Sequence, residues 1–225
     1  MRISVVIPAR NEASIIDACL KALTAQTLSP YEIIIVDNSS TDDTAQRAAQ
    51  YDHVRIVTEK RVGISIARNT GFDSATGDII ARCDVDTHVS ANWIYEITQF
   101  FEQHPAVAAI TGPATYYDAP KIIRRLLNWL FLDMFYLITR RNTGGETLFG
   151  SNCAVRQEVW LKVRADVCTD DLNMHEDIDL GQHIQRLGTI AFNEAMQVSI
   201  SARPLLHPMG MIRRWRKGLN NFHRH

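Results

Sequence analysis

The chain has no CxxC pair among its four cysteines, no apolar run long enough to cross a bilayer, and almost no net charge. Scattered cysteines (Cys19, Cys83, Cys153, Cys168), with no secretory leader before the first apolar strand, lead us to expect reduced thiols in the cytoplasm. The most apolar stretch is broken by Asn128 and Asp133, well short of the ~20 residues that a spanning helix needs. Lys and Arg total 24 against 25 Asp and Glu, a formal charge of -1, so no whole-protein field draws the chain to nucleic acid. Neither GxGxxG nor GxxxxGK[ST] occurs, which argues against a dinucleotide oxidoreductase and a P-loop enzyme. Acids are missing from one region: Ala195 to His225 carries Arg203, Arg213, Arg214, Arg216, Lys217 and Arg224 with no Asp or Glu. That end is either an anion site or a solvated basic tail.

What is present is an ordinary globular composition and a strand and helix alternation. Ile3 to Pro8 is an apolar strand, Ala9-Arg10-Asn11-Glu12 a polar turn, and Ile15, Ile16, Cys19, Leu20 and Leu23 recur at helical spacing. The unit repeats: strand Glu32 to Val36, turn Asp37-Asn38-Ser39-Ser40 and a short helix from Thr41; strand Val54 to Val57 and a helix around Ile64 to Ala75. A fourth strand, Ile79 to Arg82, runs into Cys83-Asp84-Val85-Asp86-Thr87, and Ser90 is expected to cap a helix carrying Trp93, Ile94, Ile97 and Phe101. This repetition predicts a parallel sheet with right-handed crossovers, its ligand beyond the carboxyl ends of the strands, where these loops converge. The second half reads as strand Val107 to Gly112, a basic and aromatic helix from Pro120 to Arg141, and a Gly144-Gly145 turn. Strand Asn152 to Arg156, helix Glu176 to Leu187 stopped by Gly188, and an amphipathic segment after His207 follow.

Three groups of residues bear chemistry. Asp84 and Asp86, two apart at a strand end, would aim both carboxylates to one side, and one or two carboxylates with substrate phosphates suit Mg²⁺ or Mn²⁺. Glu176-Asp177 opens a helix: it is either a well-charged helix start or a general base, Asp177, oriented by Glu176. The macrodipole at that start is expected to lower the pKa of Asp177. Arg61 and Arg68 flank a helix start at Val62-Gly63-Ile64, as surface cations or as forks for phosphate and base edges. His207 with Arg213, Arg214, Trp215, Arg216 and Lys217 is a structural or a ligand-binding cluster.

Taken in order, SVVIPARNE (Ser4 to Glu12), IIIVDNSSTDDT (Ile33 to Thr44), GISIARNTG (Gly63 to Gly71), CDVDT (Cys83 to Thr87), GSNCAVRQEVW (Gly150 to Trp160) and HEDIDLGQHIQRLG (His175 to Gly188) resemble the family 2 glycosyltransferases. The resemblance implies a GT-A fold, a single α/β domain with a Rossmann-like open sheet and helices on both faces. Residues of about 1–115 would form a nucleotide-binding half and about 116–225 an acceptor and catalytic half. It implies inverting transfer from a nucleoside diphosphate sugar, a uridine diphosphate sugar first and a guanosine or thymidine donor as alternatives, with Mn²⁺ or Mg²⁺ as cofactor. Pro8, Ala9, Arg10 and Glu12 would lie beside the nucleoside, Asp37 on the base, Arg61 and Arg68 near the nucleotide, Asp84 at ribose and metal, and Asp86 on the metal. His207 would join the metal, Arg213, Arg214 and Trp215 the diphosphate, while Asp177 with Glu176 would be catalytic.

Two departures from the family pattern stand out: Asp37-Asn38-Ser39 replaces Asp-Asp-Gly, and Met211 precedes Arg214-Trp215 where processive synthases have Gln. The second, with no membrane-spanning run, points to non-processive transfer. The rival classes are a catalytically inactive sugar-nucleotide binding protein and a sugar nucleotidyltransferase, which should carry a Gly-rich loop where this chain has Pro8-Ala9-Arg10-Asn11-Glu12. The Pro120 to Arg141 helix, with Lys121, Arg124, Arg125, Arg140 and Arg141 bracketing its apolar residues, would touch a membrane surface or lipid-linked acceptor, or else pack in the core or in a dimer. A cytoplasmic protein, peripheral at the inner face of the cell membrane, is the corresponding expectation.

Overall fold

The computed structural model describes residues 1–169, 172–206, 209–210 and 216–220. Its elements run β1 (Ile3–Ala9), α1 (Ile16–Thr24), β2 (Glu32–Asp37), α2 (Thr44–Ala48), β3 (Val54–Thr58), α3 (Ile64–Ser74), β4 (Ile79–Arg82), β5 (His88–Val89) and α4 (Trp93–Gln103). There follow β6 (Val107–Thr111), β7 (Ala114–Tyr116), α5 (Lys121–Leu127), a π-helical stretch (Asn128–Asp133), α6 (Met134–Thr143), β8 (Cys153–Arg156), α7 (Gln157–Val163), α8 (Glu176–Gln185), β9 (Thr189–Phe192) and β10 (Val198–Ile200).

The alternation along the strands sorts the core into two layers. Ile3, Val5 and Ile7 of β1, Ile33 and Ile35 of β2, and Ile79 and Ala81 of β4 meet α1 and α4 on one face, with Trp93, Ile97 and Phe101 completely or almost completely buried. The residues between them, Val6, Ile34, Val36 and Ile80, meet α3, α7 and α8 on the other, where Phe72 packs edge-on against Trp160. Each such fully buried large side chain is worth roughly 1.5–3 kcal/mol of hydrophobic transfer. Helix α3 approaches so closely that a Cβ on Gly71 would stand 2.3 Å from Val6 Cγ1 and 2.8 Å from Val36 Cγ2, so only glycine fits there.

The main sheet has the order β3-β2-β1-β4-β8-β6-β9, and a small sheet has the order β5-β10-β7. β1 to β4 are parallel, as the repeating units predict. The wholly parallel sheet is corrected by β8, which runs antiparallel to both β4 and β6 and so pairs Cys153 with Arg82 and Thr111. The physical reason is connectivity: a strand inserted between two parallel neighbours from a chain already at their carboxyl ends enters there and runs back. The residues just before β8 therefore sit at the same sheet edge as the loops after β1, β2 and β4.

A second correction concerns Ser90. Helix α4 begins at Trp93, and its N-cap Asn92 makes no side-chain cap bond. Ser90 contributes its backbone carbonyl to Trp93 N at 3.0 Å, while Gln26 Oε1 accepts from Ile94 N at 3.0 Å and satisfies an amide of the first turn. The expected helix from Pro120 to Arg141 spans α5, the π-helical stretch and α6, and Gly144, at φ 75, ends it in the left-handed conformation. The segment after His207 lies largely outside the described residues.

Candidate active site

A cleft of about 630 Å³ opens at the carboxyl ends of the parallel strands. Pro8 and Ala9 reach it from the end of β1, Arg10 and Glu12 from the loop that follows, Asn38 from the loop after β2, and Arg82, Asp84 and Asp86 from the end of β4 and its loop. Ser151 enters from the turn before β8, and Glu176 and Asp177 from the first turn of α8. Apart from Arg82, these residues come from segments singled out in the sequence by motif, and the fold brings them together.

At the cleft floor lies Arg82, 2% exposed along its side chain. Its Nη1 donates to Asp177 Oδ1 at 2.8 Å and to Glu176 Oε2 at 2.9 Å; its Nη2 donates to Glu176 Oε1 at 2.9 Å and to Asp84 Oδ1 at 3.1 Å. One planar guanidinium therefore binds both acidic motifs, a task suited to Arg rather than Lys. The other oxygen of Asp177 accepts from Gly150 N at 2.9 Å, and a Cβ on Gly150 would stand 2.5 and 2.6 Å from the two Asp177 oxygens. Asp84 Oδ2 accepts from Ser151 Oγ at 2.6 Å. Arg68, with no exposed side-chain surface, donates from Nη1 to the Glu176 backbone carbonyl at 2.9 Å. Its position is behind the first turn of α8, away from the open cleft.

These contacts set the charge of the helix start. Burial would raise the Glu176 carboxyl, but Arg82 and Arg68 hold it down to about 2. Asp177 goes the other way: burial first, and then the Glu176 carboxylate beside it, push it up to about 7 against the pull of Arg82. The expected lowering by the macrodipole is thereby overturned, because desolvation and a like charge outweigh a half-charge at a helix end.

Asp84 and Asp86 both face the cleft, though not by strand alternation, since β4 ends at Arg82 and the pair lies in the following turn. Asp84 has both oxygens engaged, whereas Asp86 has a 3.5 Å contact to Arg203 Nη2. Burial, then the neighbouring Asp84 charge, raise the Asp86 carboxyl above its usual range, with Arg203 opposing. Two clustered carboxylates that repel one another in a partly buried site fit a divalent cation that brings phosphate and water oxygens with it. Among the described residues no group of three His, Cys, Asp or Glu side chains is arranged for a metal.

Asp37 accepts from Ser40 N at 3.2 Å and is not among the residues that line the cleft, whereas its neighbour Asn38 is. Asn38 also explains the departure from Asp-Asp-Gly: its Nδ2 donates to the carbonyls of Glu59 and Arg61, and its Oδ1 accepts from Gly63 N, a double role that a carboxylate cannot fill. Arg61 turns to Glu59, with Nη2 to Oε2 at 3.0 Å and a largely exposed side chain. His207, Arg213, Arg214 and Trp215 lie outside the described residues, but Lys217 from the same segment lines the cleft. The opposite wall is apolar, with Phe131, Phe135 and Ile138 of the 121–143 helix, Tyr116 and Phe149. Arg82, Gly150 and Ser151 escaped the sequence reading as site residues; an ionisable residue closing the apolar run Ile79 to Ala81, two before Asp84, was the signal for Arg82.

Comparison with known proteins bears on this geometry. The family model described as glycosyl transferase family 2 matches residues 4–163. Glycosyltransferase AglE of Haloferax volcanii is 41% identical over 99 residues, which cover 41% of this chain and 33% of that protein. The mannosyltransferase PcManGT from Pyrobaculum calidifontis, in complex with GDP-Man and Mn²⁺, superposes with a TM-score of 0.77 at 21% identity, covering 99% of this chain and 63% of that one. Glucosyl-3-phosphoglycerate synthase from Mycobacterium tuberculosis, with Mn²⁺, UDP-glucose and phosphoglyceric acid, gives a TM-score of 0.66 at 19% identity, covering 98% and 79%. The chain thus spans about a third of AglE and under two thirds of PcManGT. A family match over most of the chain, and an open α/β sheet shared across its whole length with solved glycosyltransferases, establish that the chain belongs to glycosyl transferase family 2 and has the GT-A fold.

Proposed function

We propose that the protein is an inverting, non-processive glycosyltransferase that moves a sugar from a nucleoside diphosphate donor to an acceptor hydroxyl. The observation that carries this reading is the Asp177 carboxyl: held in the cleft by Arg82 and Gly150 N, and pushed up to about 7, it is a base poised at neutral pH, while Asp84 and Asp86 lie in the same cleft. The acceptor hydroxyl gives its proton to an Asp177 oxygen as its own oxygen bonds to the anomeric carbon. The bond from that carbon to the diphosphate breaks in the same displacement, so the configuration inverts. Both Asp177 oxygens already accept one hydrogen bond, which fixes the carboxylate plane and leaves a lone pair on each for the incoming proton.

Asp86, aided by Asp84, would hold a Mn²⁺ or Mg²⁺ ion, whose chemistry there is to neutralise charge developing on the leaving diphosphate. Arg10 and Lys217 line the same cleft and supply cations for the phosphates. The donors named with the two solved relatives, GDP-Man and UDP-glucose, support the nucleoside diphosphate sugar class, with a uridine donor as our first choice. The partner of the 121–143 helix in this reading is a membrane surface, which places the protein at the inner face of the cell membrane. A panel of nucleotide sugars, assayed by calorimetry with Mn²⁺ and with chelator, tests the reading. One donor binding in preference to the others, only with metal, is expected; metal-independent or absent binding across the panel would sink it.

A further inference from the structure

The 121–143 helix is apolar on two sides. Its inner side carries Phe131, Phe135 and Ile138 into the cleft wall. Its outer side leaves Ile122 95%, Leu126 58%, Trp129 54%, Leu130 44% and Leu137 58% exposed, an apolar stripe at helical spacing that is interrupted by the exposed Asp133 and that no described element covers. The π-helical turn at Asn128–Asp133 adds a residue to the helix at this point, a feature that clusters at functional sites.

Charge tells what the stripe faces. Arg124 is held by the carbonyls of Tyr117 and Ala119, and Arg140 by Glu146. Lys121, Arg125 and Arg141 are exposed and have no ion pair among the described residues. Asp133 is the single acid between Asp118 and Glu146. Unpaired cations at both ends of an exposed apolar stripe match an anionic lipid interface, where the stems and rings enter the acyl boundary and the cations meet head groups. A second copy docked through this face about a twofold axis would set the same cations against themselves.

We propose that the outer face of the 121–143 helix docks on an anionic lipid surface, and that the acceptor hydroxyl is carried by an amphiphile in that surface. The docking stands on the helix alone; the acceptor clause rests on the glycosyl-transfer reading of the cleft. Because the helix that meets the lipid also forms the cleft's apolar wall, a head group reaching in along Phe131 and Phe135 arrives beside Asp177, and its chain stays in the bilayer.

The test is co-sedimentation with vesicles of phosphatidylcholine containing phosphatidylglycerol, set against phosphatidylcholine alone. Of the four tryptophans Trp93 and Trp160 are fully buried, Trp129 is exposed and Trp215 lies outside the described residues, so a blue shift of emission that Trp129→Phe largely abolishes, while sedimentation persists, reports insertion of this face. The wild type is expected to bind the anionic vesicles. Leu126→Glu with Leu130→Glu, and separately Lys121→Glu with Arg125→Glu, are each expected to weaken binding by about tenfold or more. These positions are on the surface, and unchanged circular dichroism and donor calorimetry verify that fold and donor site persist in the variants. Wild-type protein left in the supernatant at low salt overturns the docking, as does binding that neither double variant weakens. A dimer in light scattering that the same variants dissociate assigns the face to a second copy and overturns it too. Transfer to water-soluble acceptors alone, with vesicle binding intact, overturns only the acceptor clause.

Discussion

Asp177 Oδ1 accepts a 2.8 Å hydrogen bond from Arg82 Nη1 across 95 residues of sequence, and through that guanidinium the proposed base is joined to Asp84 of the proposed metal site. Replacing Arg82 by Met leaves three carboxylates crowded around a neutral side chain, with the Arg68 guanidinium 3.6 Å from Glu176. Loss of one partner of a buried ion network destabilises by roughly 3–5 kcal/mol, and urea unfolding should show a drop of that size. Arg82→Lys should recover part of the stability but little transfer, because one ammonium cannot serve three acids with a planar fork. A Met variant as stable as wild type would remove Arg82 from this role.

Asp177→Asn should leave donor affinity near wild type and lower single-turnover transfer by roughly a hundred- to ten-thousand-fold, since the base acts on the acceptor. The wild-type rate should fall about tenfold per pH unit below about 7, as the carboxylate is protonated. The stability effect has the opposite sense. A carboxyl raised from its usual 3.8 to about 7 by folding stabilises the protein below 3.8, and that contribution is lost as pH rises toward 7. Glu176, lowered to about 2, contributes stability above its usual 4.5 that is lost as pH falls through about 2. Unfolding of the Asp177→Asn variant followed from about pH 4 to 7 should therefore be flatter than wild type. Near wild-type turnover in the variant would return Asp177 to a purely structural part in its helix start.

Gly150→Ala is expected to damage transfer without touching donor contacts. The added Cβ would press on both Asp177 oxygens and stand 2.8 Å from Arg82 Nη1, so the base must shift. Calorimetry should find the donor bound with its metal dependence intact, while single-turnover transfer drops by about tenfold or more, the scale on which catalytic misplacement acts. Unchanged transfer would show that Asp177 needs no fixed position.

Asp86→Ala should abolish metal-dependent donor binding, because Asp86 holds the carboxylate with the least engagement by protein donors. Titration of a uridine diphosphate sugar with Mn²⁺ and with excess chelator reads this directly. Equal wild-type affinity under both conditions would defeat the metal assignment.

The elements with strong periodicity were legible in the sequence. β1, β2, β3 and β4, with α1, α3, α4 and α8, lie within a residue or two of the expected runs. β5, β7 and β10 escaped because strands of two or three residues are too short for a period of two to show, and β9 escaped with them. The direction of β8 escaped because alternation carries no information on polarity. At the site, the positions after β1, after β4 and at the start of α8 converged on one cleft while Asp37, Arg61 and Arg68 do not line it, and contacts that depend on tertiary approach did not show. Arg82 read as the end of a strand, Arg68 as a helix-start cation, and the pKa of Asp177 as a helix-end effect, since burial is decided by distant segments.

The insertion of β8 between β4 and β6 also constrains how a nascent chain can mature. Both sheet neighbours of β6, β8 and β9, leave the ribosome after it, so Ala109 to Thr111 wait with unpaired amides and carbonyls until Cys153 and then Thr189 are synthesised. Such open edges invite the wrong partners. Ordering of the sheet's centre and assembly of the Arg82 cluster then become one late event, because Arg82 meets Cys153 in the sheet and Asp177 only 24 residues later.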